Sequence, residues 1–299
     1  MEKGLVSVII PTYKGSNIVC KSIDSILKQT YKKVEVIVVD DNGKGTENQI
    51  KTEKTMERYS SLNNVMYVAH DKNKNGSAAR NTGFRHSKGE YLCFLDDDDL
   101  YLPDKVLKQV IKFQKTPNDF GIVYCSILEI YSEKERHKLE ANMEGDILLP
   151  MLLWKTRLCS SNIMIRRTVF EEVKGFDESF SRHQDWELLV RILDKYKCGA
   201  VPDVGVEKVL LDRNVPTSAK TVEKNGIHFI EKMKPIIERL GKKNAAIVYS
   251  HYYIEWAKVF LWERDFKRYW YYSKKCKKPI ECYLKSFKYC VGRVIRKKY

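Results

Sequence analysis

Four short, largely apolar runs constrain the fold of this chain more than any other feature of its sequence. They lie at residues 5–10, 34–41, 65–70 and 91–95. Helical patterns at 18–27 and 77–87 separate the first run from the second and the third from the fourth. Strands that are apolar on both faces and alternate with helices are typical of a parallel sheet that helices cover on both sides. We therefore predict an α/β fold with a mainly parallel sheet.

The later part of the chain shows a more mixed pattern. Helices are predicted at 106–115 and 185–196, and strands at 121–131 and 160–167. From about residue 220 the sequence is helical, aromatic and basic, and a turn near Arg264 and Asp265 separates two helices. These patterns predict a domain over 1–219, composed of halves at 1–104 and 105–219, followed by a helical C-terminal extension over 220–299.

The charge of the chain is concentrated at its C-terminal end. The chain has 54 Lys and Arg against 39 Asp and Glu, and residues 264–299 hold 13 of the basic residues but only two acids. Such a segment indicates an anionic partner, such as a membrane surface, a polyanion or a phosphorylated acceptor. Alternatively, its aromatic residues pack against the rest of the protein and leave the basic face in water. No nucleic-acid recognition motif accompanies it, so nucleic acid is not predicted as a partner.

The cysteines and apolar stretches bear on the cellular location. The eight cysteines contain no CxxC pair, which favours free thiols in a reducing compartment. The first apolar run is too short for a signal peptide, and the stretch at 147–154 is too short to cross a bilayer. We expect a cytoplasmic protein whose segment 264–299 contacts the cytoplasmic face of an anionic membrane.

Polar residues gather where the predicted strands end. The first strand runs into Pro11, Thr12 and Tyr13; the second and fourth run into acidic residues, which are Asp40, Asp41, Asp96, Asp97, Asp98 and Asp99. Ligands bind such sheets at the carboxyl ends of their strands. We therefore expect three strand ends to meet at one crevice, two of them acidic.

Four consecutive aspartates after a buried strand repel one another, and a hard divalent cation would relieve that cost. The Asp96 and Asp98 spacing suits Mg²⁺ or Mn²⁺ held together with substrate phosphates. The alternative is a solvated acidic turn before the next helix. A carboxylate at Asp40 can accept a hydrogen bond from a base or a ribose, but residues 41–43 also read as a simple turn.

Five segments occur in one order along the chain, SVIIPTYKGSN, EVIVVDDN, NGSAARNTGFRHSKGEYLCFLDDDDLYLPDKV, GFDESF and QDWELLVRI. Together they resemble the signature of family 2 glycosyltransferases, which have the GT-A fold, and the resemblance covers roughly residues 4–215. It implies an inverting, metal-dependent transferase of the hexosyltransferase type that uses a nucleotide sugar, most often a UDP-sugar. The acceptor would be a glycan or a lipid-linked molecule in surface polysaccharide or glycoconjugate synthesis.

The resemblance also implies roles for individual residues. Those expected at the nucleotide sugar are Pro11, Thr12, Tyr13, Asp40, Arg80, Asp96 and Asp97. Asp96 and Asp98 would form the DxD motif, with Asp98 as the direct ligand of Mn²⁺ or Mg²⁺. Arg80 would contact the sugar or a phosphate, although a helix-face arginine that pairs with an aspartate is the alternative.

The general base implied by the resemblance is Asp185. A carboxylate at a helix terminus can accept the proton of an attacking hydroxyl, or it can simply cap the helix. The family often has Glu where this chain has Gln184, a departure that bears on the type of acceptor. The resemblance also implies a loop that closes over the nucleotide, and Arg213 and Ser218 of the motif DRNVPTS would lie in this loop.

Two other classes of function compete with this hypothesis. A nucleotidyltransferase would carry a glycine-rich, lysine-bearing phosphate loop after the first strand, and residues 11–17 lack that glycine density. A non-catalytic nucleotide-sugar-binding protein would not need both Asp98 and Asp185.

Overall fold

The computed structural model of this chain describes residues 1–132, 135–209 and 218–296. The chain divides into two compact units, Met1–Leu211 and Asp212–Tyr299. The boundary predicted from the sequence lies a few residues later, between 219 and 220, and Arg213 of the suggested closing loop lies outside the described residues.

The first unit is built on one mixed sheet. Its strands are β1 (Glu2–Thr12), β2 (Val34–Asp40), β3 (Val65–Ala69), β4 (Gly89–Phe94), β5 (Asp99–Tyr101), β6 (Phe120–Ile130), β7 (Arg136–Leu139), β8 (Ile163–Arg166) and β9 (Lys197–Val209). Among the described residues the order is β3-β2-β1-β4-β8-β6-β9-β5, and β7 pairs with β6. Neighbours from β3 to β4 are parallel, as predicted, whereas β8 is antiparallel to both β4 and β6.

Helices cover the sheet on both faces. They are α1 (Val19–Leu27), α2 (Glu47–Met56), α3 (Gly76–His86), α4 (Lys105–Lys115), α5 (Leu148–Leu152), α6 (Arg167–Glu172) and α7 (Gln184–Leu193), with 3₁₀ turns at Glu57–Tyr59 and Ser160–Asn162. Alternate residues of β1 face opposite sides, since Val8 and Ile10 pack in the core cluster with α1 and α4 while Ile9 lies beneath Gly83 of α3. Burial on both faces explains why the strands read as continuous apolar runs.

Several predicted elements have different bounds in the structure, and two of these differences have a local cause. The helix predicted at 185–196 ends at Leu193, because Lys197 begins β9 and its backbone N–H donates to the Asp119 carbonyl. The strand predicted at 160–167 begins only at Ile163, since Ser160–Asn162 form a 3₁₀ turn. The Asn162 side chain stabilises this turn by accepting a hydrogen bond from the Cys159 backbone N–H at 2.9 Å.

The second unit is helical, with α8 (Ala219–Arg239), α9 (Gly241–Trp262), α10 (Phe266–Lys275) and α11 (Pro279–Arg296). Helix α9 contacts the other three helices. The predicted turn is confirmed: Arg264 has φ +62°, and the Asp265 side chain caps α10 by accepting a hydrogen bond from the Arg268 backbone N–H. No helix in the described part of the chain is both long and apolar enough to cross a bilayer.

The packing of α3 against β1 depends on a glycine. A Cβ added at Gly83 would lie 2.4 Å from Cγ2 of Ile9, a branched side chain with no exposed surface. Overpacking a core costs about 1–3 kcal/mol, whereas replacing Gly by Ala in a helix gains only about 1 kcal/mol.

We expect Gly83→Ala to lower the free energy of unfolding of the first unit by about 1 kcal/mol in urea titrations. Gly292→Ala in α11, where the added Cβ meets open space, is the control and should not destabilise; equal losses from both would contradict this account.

Candidate active site

Three strand ends meet at one edge of the sheet. β1 lies between β2 and β4, and Thr12 at the end of β1 pairs in register with Asp40 at the end of β2. On its other side, Thr12 Oγ1 donates to Asp97 Oδ2 at 2.6 Å. Thr12 therefore connects the acidic end of β2 with the acidic run that follows β4, as the positions of these residues in the sequence predict.

Asp40 lies inside the strand-end turn rather than at its surface. It has no exposed surface, and its Oδ1 accepts hydrogen bonds from the backbone and side-chain nitrogens of Asn42 at 2.8 and 2.7 Å. Its Oδ2 accepts from the Tyr67 hydroxyl at 2.7 Å. The Tyr13 side chain, in contrast, is 49% exposed, and Lys14 Nζ lies 5.1 Å from the centroid of its ring. The nucleoside-binding roles of Pro11, Thr12, Tyr13 and Asp40 stay predictions.

Asp41 supports the loop before α3, a role that the sequence did not reveal. Its carboxylate accepts hydrogen bonds from the Asn73 side chain and from the backbone N–H groups of Lys74 and Asn75, at 2.8 to 2.9 Å. His70 Nδ1 lies 2.7 Å from the same carboxylate. Asp41 thus holds the loop that leads into α3, and this loop determines where the side chains of α3 lie.

The acidic run after β4 separates into two groups. Asp97 turns back toward β1, where a Cβ on Gly15 would lie 1.9 Å from its Oδ2, so only glycine fits there. Asp96, Asp98 and Asp99 each place one carboxylate oxygen within 4.8 Å of the other two. Asp96 and Asp98 therefore lie close together, with Asp99 as a third member of the group, and their role as metal ligands stays a prediction.

Lys208 lies at this cluster, and sequence reasoning missed it. The antiparallel pairing of β5 with β9 puts Lys208 opposite Asp99. Its Nζ is 2.7 Å from Asp99 Oδ2 and 3.3 Å from Asp96 Oδ2, and Ser161 Oγ donates to the same Asp99 oxygen at 2.5 Å. No local signal marks Lys208, because the contact arises from strand pairing across more than a hundred residues.

Burial and the neighbouring charges shift the pKa values of Asp96 and Asp99 in opposite directions. Burial would raise the pKa of Asp96, but the charges of Lys208 and Arg80 lower it to about 2. Burial raises the pKa of Asp99 to about 7, against the opposing effect of Lys208. The Asp99 Oδ1 atom is buried and has no hydrogen-bond partner in the described chain. Three carboxylates with an unused buried oxygen suit a hard divalent cation such as Mg²⁺ or Mn²⁺.

Arg80 connects this cluster to α7. Its guanidinium is 2.7 Å from Asp96 Oδ1, donates to Gln184 Oε1 at 3.0 Å, and lies over the Phe176 ring. Arg80 thus pairs with an aspartate, as in the alternative interpretation, and its contact with the sugar or a phosphate stays a prediction. Two hydrogen bonds between Asn81 of α3 and the Phe176 backbone hold this arrangement.

Asp185 follows Gln184 in the first turn of α7, near the same charges. Desolvation raises the pKa of Asp185, while Arg80 opposes that rise. The rings of His183 and Trp186 are stacked, with 4.9 Å between their centroids. The ring centroids of Trp154 and Trp186 are 5.1 Å apart. His183 and Trp154 both have positive φ, 59° and 56°, a backbone strain often found at functional sites. Asp185 is therefore within electrostatic reach of Arg80 and Asp96, and its neighbour in the chain, Trp186, belongs to an aromatic group.

Comparison with known proteins identifies the family. Residues 7–174, more than half of the chain, match the model of Glycosyl transferase family 2. The chain belongs to this family, as its motifs predict.

Its relatives are mostly longer proteins. An uncharacterized glycosyltransferase of Rickettsia typhi is 34% identical over 196 residues, which are 63% of this chain and 58% of that protein. The amylovoran biosynthesis glycosyltransferase AmsB of Erwinia amylovora is 30% identical, with 62% of each chain covered. Matches in Rickettsia felis and Rickettsia bellii cover 31% and 27% of those proteins, so this chain spans under a third of their length.

The fold is shared with a protein of known structure. The structure of S. aureus TarS 1–349 in complex with UDP-GlcNAc has a TM-score of 0.61 at 12% identity, with 98% of this chain and 92% of that chain covered. The predicted fold class, a GT-A-type mixed and mainly parallel sheet with flanking helices, is confirmed.

Lys208 should compete with a divalent cation for the acidic cluster. A unit charge at about 4 Å contributes about 4 kcal/mol at an effective dielectric constant of 20, before screening by salt. We expect Lys208→Met to tighten Mn²⁺ binding by at least about tenfold in the absence of nucleotide, measured from the electron paramagnetic resonance signal of free Mn²⁺. Lys208→Arg keeps the charge and is the control. Equal Mn²⁺ affinity in the Met variant and the parent would show that Lys208 does not compete.

Proposed function

We propose that this protein is an inverting glycosyltransferase that transfers a sugar from a UDP-sugar to a hydroxyl of a glycan or a lipid-linked acceptor. The observation that carries the proposal is the Arg80 bridge, in which one guanidinium donates both to Asp96 of the acidic cluster and to Gln184, the residue before Asp185. A chain of this family with a carboxylate cluster on one side and a separate carboxylate on the other has the groups that such a transfer needs.

The donor is proposed from the shared fold. TarS, whose structure is in complex with UDP-GlcNAc, has the same architecture over nearly all of this chain. In this protein the exposed Tyr13 ring and the strand-end turn around Asp40 would receive the base and the ribose. Asp97, which Thr12 holds toward β1, lies between these residues and the acidic cluster.

The diphosphate would lie at the acidic cluster. Asp98, together with Asp96 or Asp99, would hold Mg²⁺ or Mn²⁺, which supplies Lewis-acid stabilisation of the departing diphosphate. Arg80 and Lys208 add fixed positive charge at the same edge of the sheet. Two cations already neutralise part of the carboxylate charge, so the cluster does not repel an anionic substrate as four free aspartates would.

The acceptor would approach from the side of Asp185. Asp185 would take the proton of the acceptor hydroxyl while that oxygen forms its bond to the anomeric carbon. The bond from the anomeric carbon to UDP breaks in the same displacement, so the configuration inverts. The rings of Trp154 and Trp186 beside Asp185 offer an apolar surface to a sugar acceptor. The similarity to AmsB, an amylovoran biosynthesis enzyme, supports a polysaccharide product.

The test is release of UDP from a panel of UDP-sugars in the presence of Mn²⁺. We expect Asp98→Ala and Asp185→Ala to lower the rate by about 10²–10⁴-fold, the usual contribution of a metal ligand or a general base. Asp203→Ala is the matched control, because this half-exposed aspartate pairs only with Lys108 among the contacts described and should retain the rate of the parent. Formation of UTP and a sugar 1-phosphate when pyrophosphate is added to the same panel, in place of UDP release, would indicate a nucleotidyltransferase. Parental rates in both site variants would overturn the assignment.

The acidity of Asp185 should appear in the pH profile. Only the deprotonated carboxylate accepts a proton, so activity is present above its folded-state pKa and is lost as the pH falls through it. Because desolvation raises this pKa, we expect the acidic limb of kcat/KM to lie above the value of roughly 3.9 found for a free aspartate. The residual rate of Asp185→Ala should lack this limb. An identical limb in that variant would assign the titration to another group.

A further inference from the structure

Helix α11 exposes a stripe of large apolar side chains. The exposed fractions are 73% for Ile280, 60% for Leu284, 67% for Phe287 and 41% for Val291. Their spacing of four, three and four residues places them on one face of the helix. Another face of α11 is already packed, since Cys282 and Ser286 are fully buried. The stripe is therefore surface that the described fold does not use for its own packing.

The stripe continues onto α10. The Trp270 ring is 50% exposed and lies edge-on to Tyr283 of α11 at 5.8 Å, and Phe266, one turn earlier, is 56% exposed. We call this surface the α10–α11 patch; its members are Phe266, Trp270, Ile280, Tyr283, Leu284, Phe287 and Val291. Contiguous apolar surfaces of this kind mark sites of interaction with proteins or membranes.

Basic side chains surround the patch. Four exposed lysines lie at the junction of the two helices, namely Lys274, Lys275, Lys277 and Lys278. Lys285 and Lys288 are exposed on α11, and the acid Glu281 is paired with Lys285 at 2.7 Å. Two copies of this chain that met through their patches would bring these like charges together. An anionic lipid surface instead accepts both the apolar stripe and the lysines.

We propose that the α10–α11 patch binds the surface of an anionic lipid bilayer. Helix α11 would lie in the plane of the interface, with Leu284 and Phe287 among the acyl chains and the lysines at the headgroups. Trp270 suits the boundary between the two regions because its ring is apolar and its N–H is polar. This binding does not depend on glycosyl transfer, and it would bring the protein to the surface that carries a lipid-linked acceptor.

The test is flotation of the full chain with vesicles of phosphatidylcholine alone and with vesicles of phosphatidylcholine and phosphatidylglycerol at 3:1. We expect the protein to bind only the anionic vesicles, and we expect this binding to weaken by about tenfold or more at 0.5 M NaCl. Leu284→Asp and Phe287→Asp should each weaken binding by about tenfold or more. Ile50→Asp is the matched control, because Ile50 of α2 is 56% exposed but lies outside the patch.

Two further readouts separate a lost surface from a lost fold. The aspartate variants should keep the parental rate of UDP release and the parental circular dichroism. The blue shift of tryptophan emission on vesicle binding should shrink in Trp270→Phe. The proposal is overturned if the parent does not bind anionic vesicles or if Phe287→Asp binds them as well as the parent. A dimer that Phe287→Asp dissociates, without vesicle binding, would assign the patch to a second copy.

Discussion

Compensation of charge at the end of β4 is the interaction on which the site depends. Three carboxylates, those of Asp96, Asp98 and Asp99, converge within 4.8 Å, and without nearby cations their repulsion would protonate or separate them. Arg80 reaches Asp96 from α3, and Lys208 reaches Asp96 and Asp99 from β9. Both cations belong to the chain itself, so the cluster is held together by the fold before any ligand binds.

The position of Arg80 in turn depends on residues that touch no ligand in the proposed mechanism. Asp41 holds the loop before α3 through backbone hydrogen bonds, and Asn81 ties α3 to Phe176. From there Arg80 reaches Gln184, the residue before the proposed base. A glutamate at 184, common in the family, would pair with Arg80 as an ion; the neutral Gln184 keeps the contact and leaves more of the Arg80 charge for Asp96.

The two units differ in how their apolar residues are used. In the first unit the strands and helices bury their apolar residues around one sheet. In the second, Trp256, Phe260 and Tyr272 pack together, whereas the α10–α11 patch remains exposed among lysines. Some rings of the helical second unit therefore form a core and others remain on its surface, and the membrane contact of that surface stays a proposal.

The sequence by itself determined the parallel half of the sheet and the meeting of three strand ends, because buried strands and their terminal turns leave local patterns. It also determined the family, through motifs that lie within single elements. Only the tertiary structure decided that Lys208 and Ser161 join Asp99, that Arg80 pairs with Asp96, and that Asp41 supports a loop. The reason is physical: strand pairing and helix packing bring together residues far apart in the chain, and no local pattern records which of them will meet.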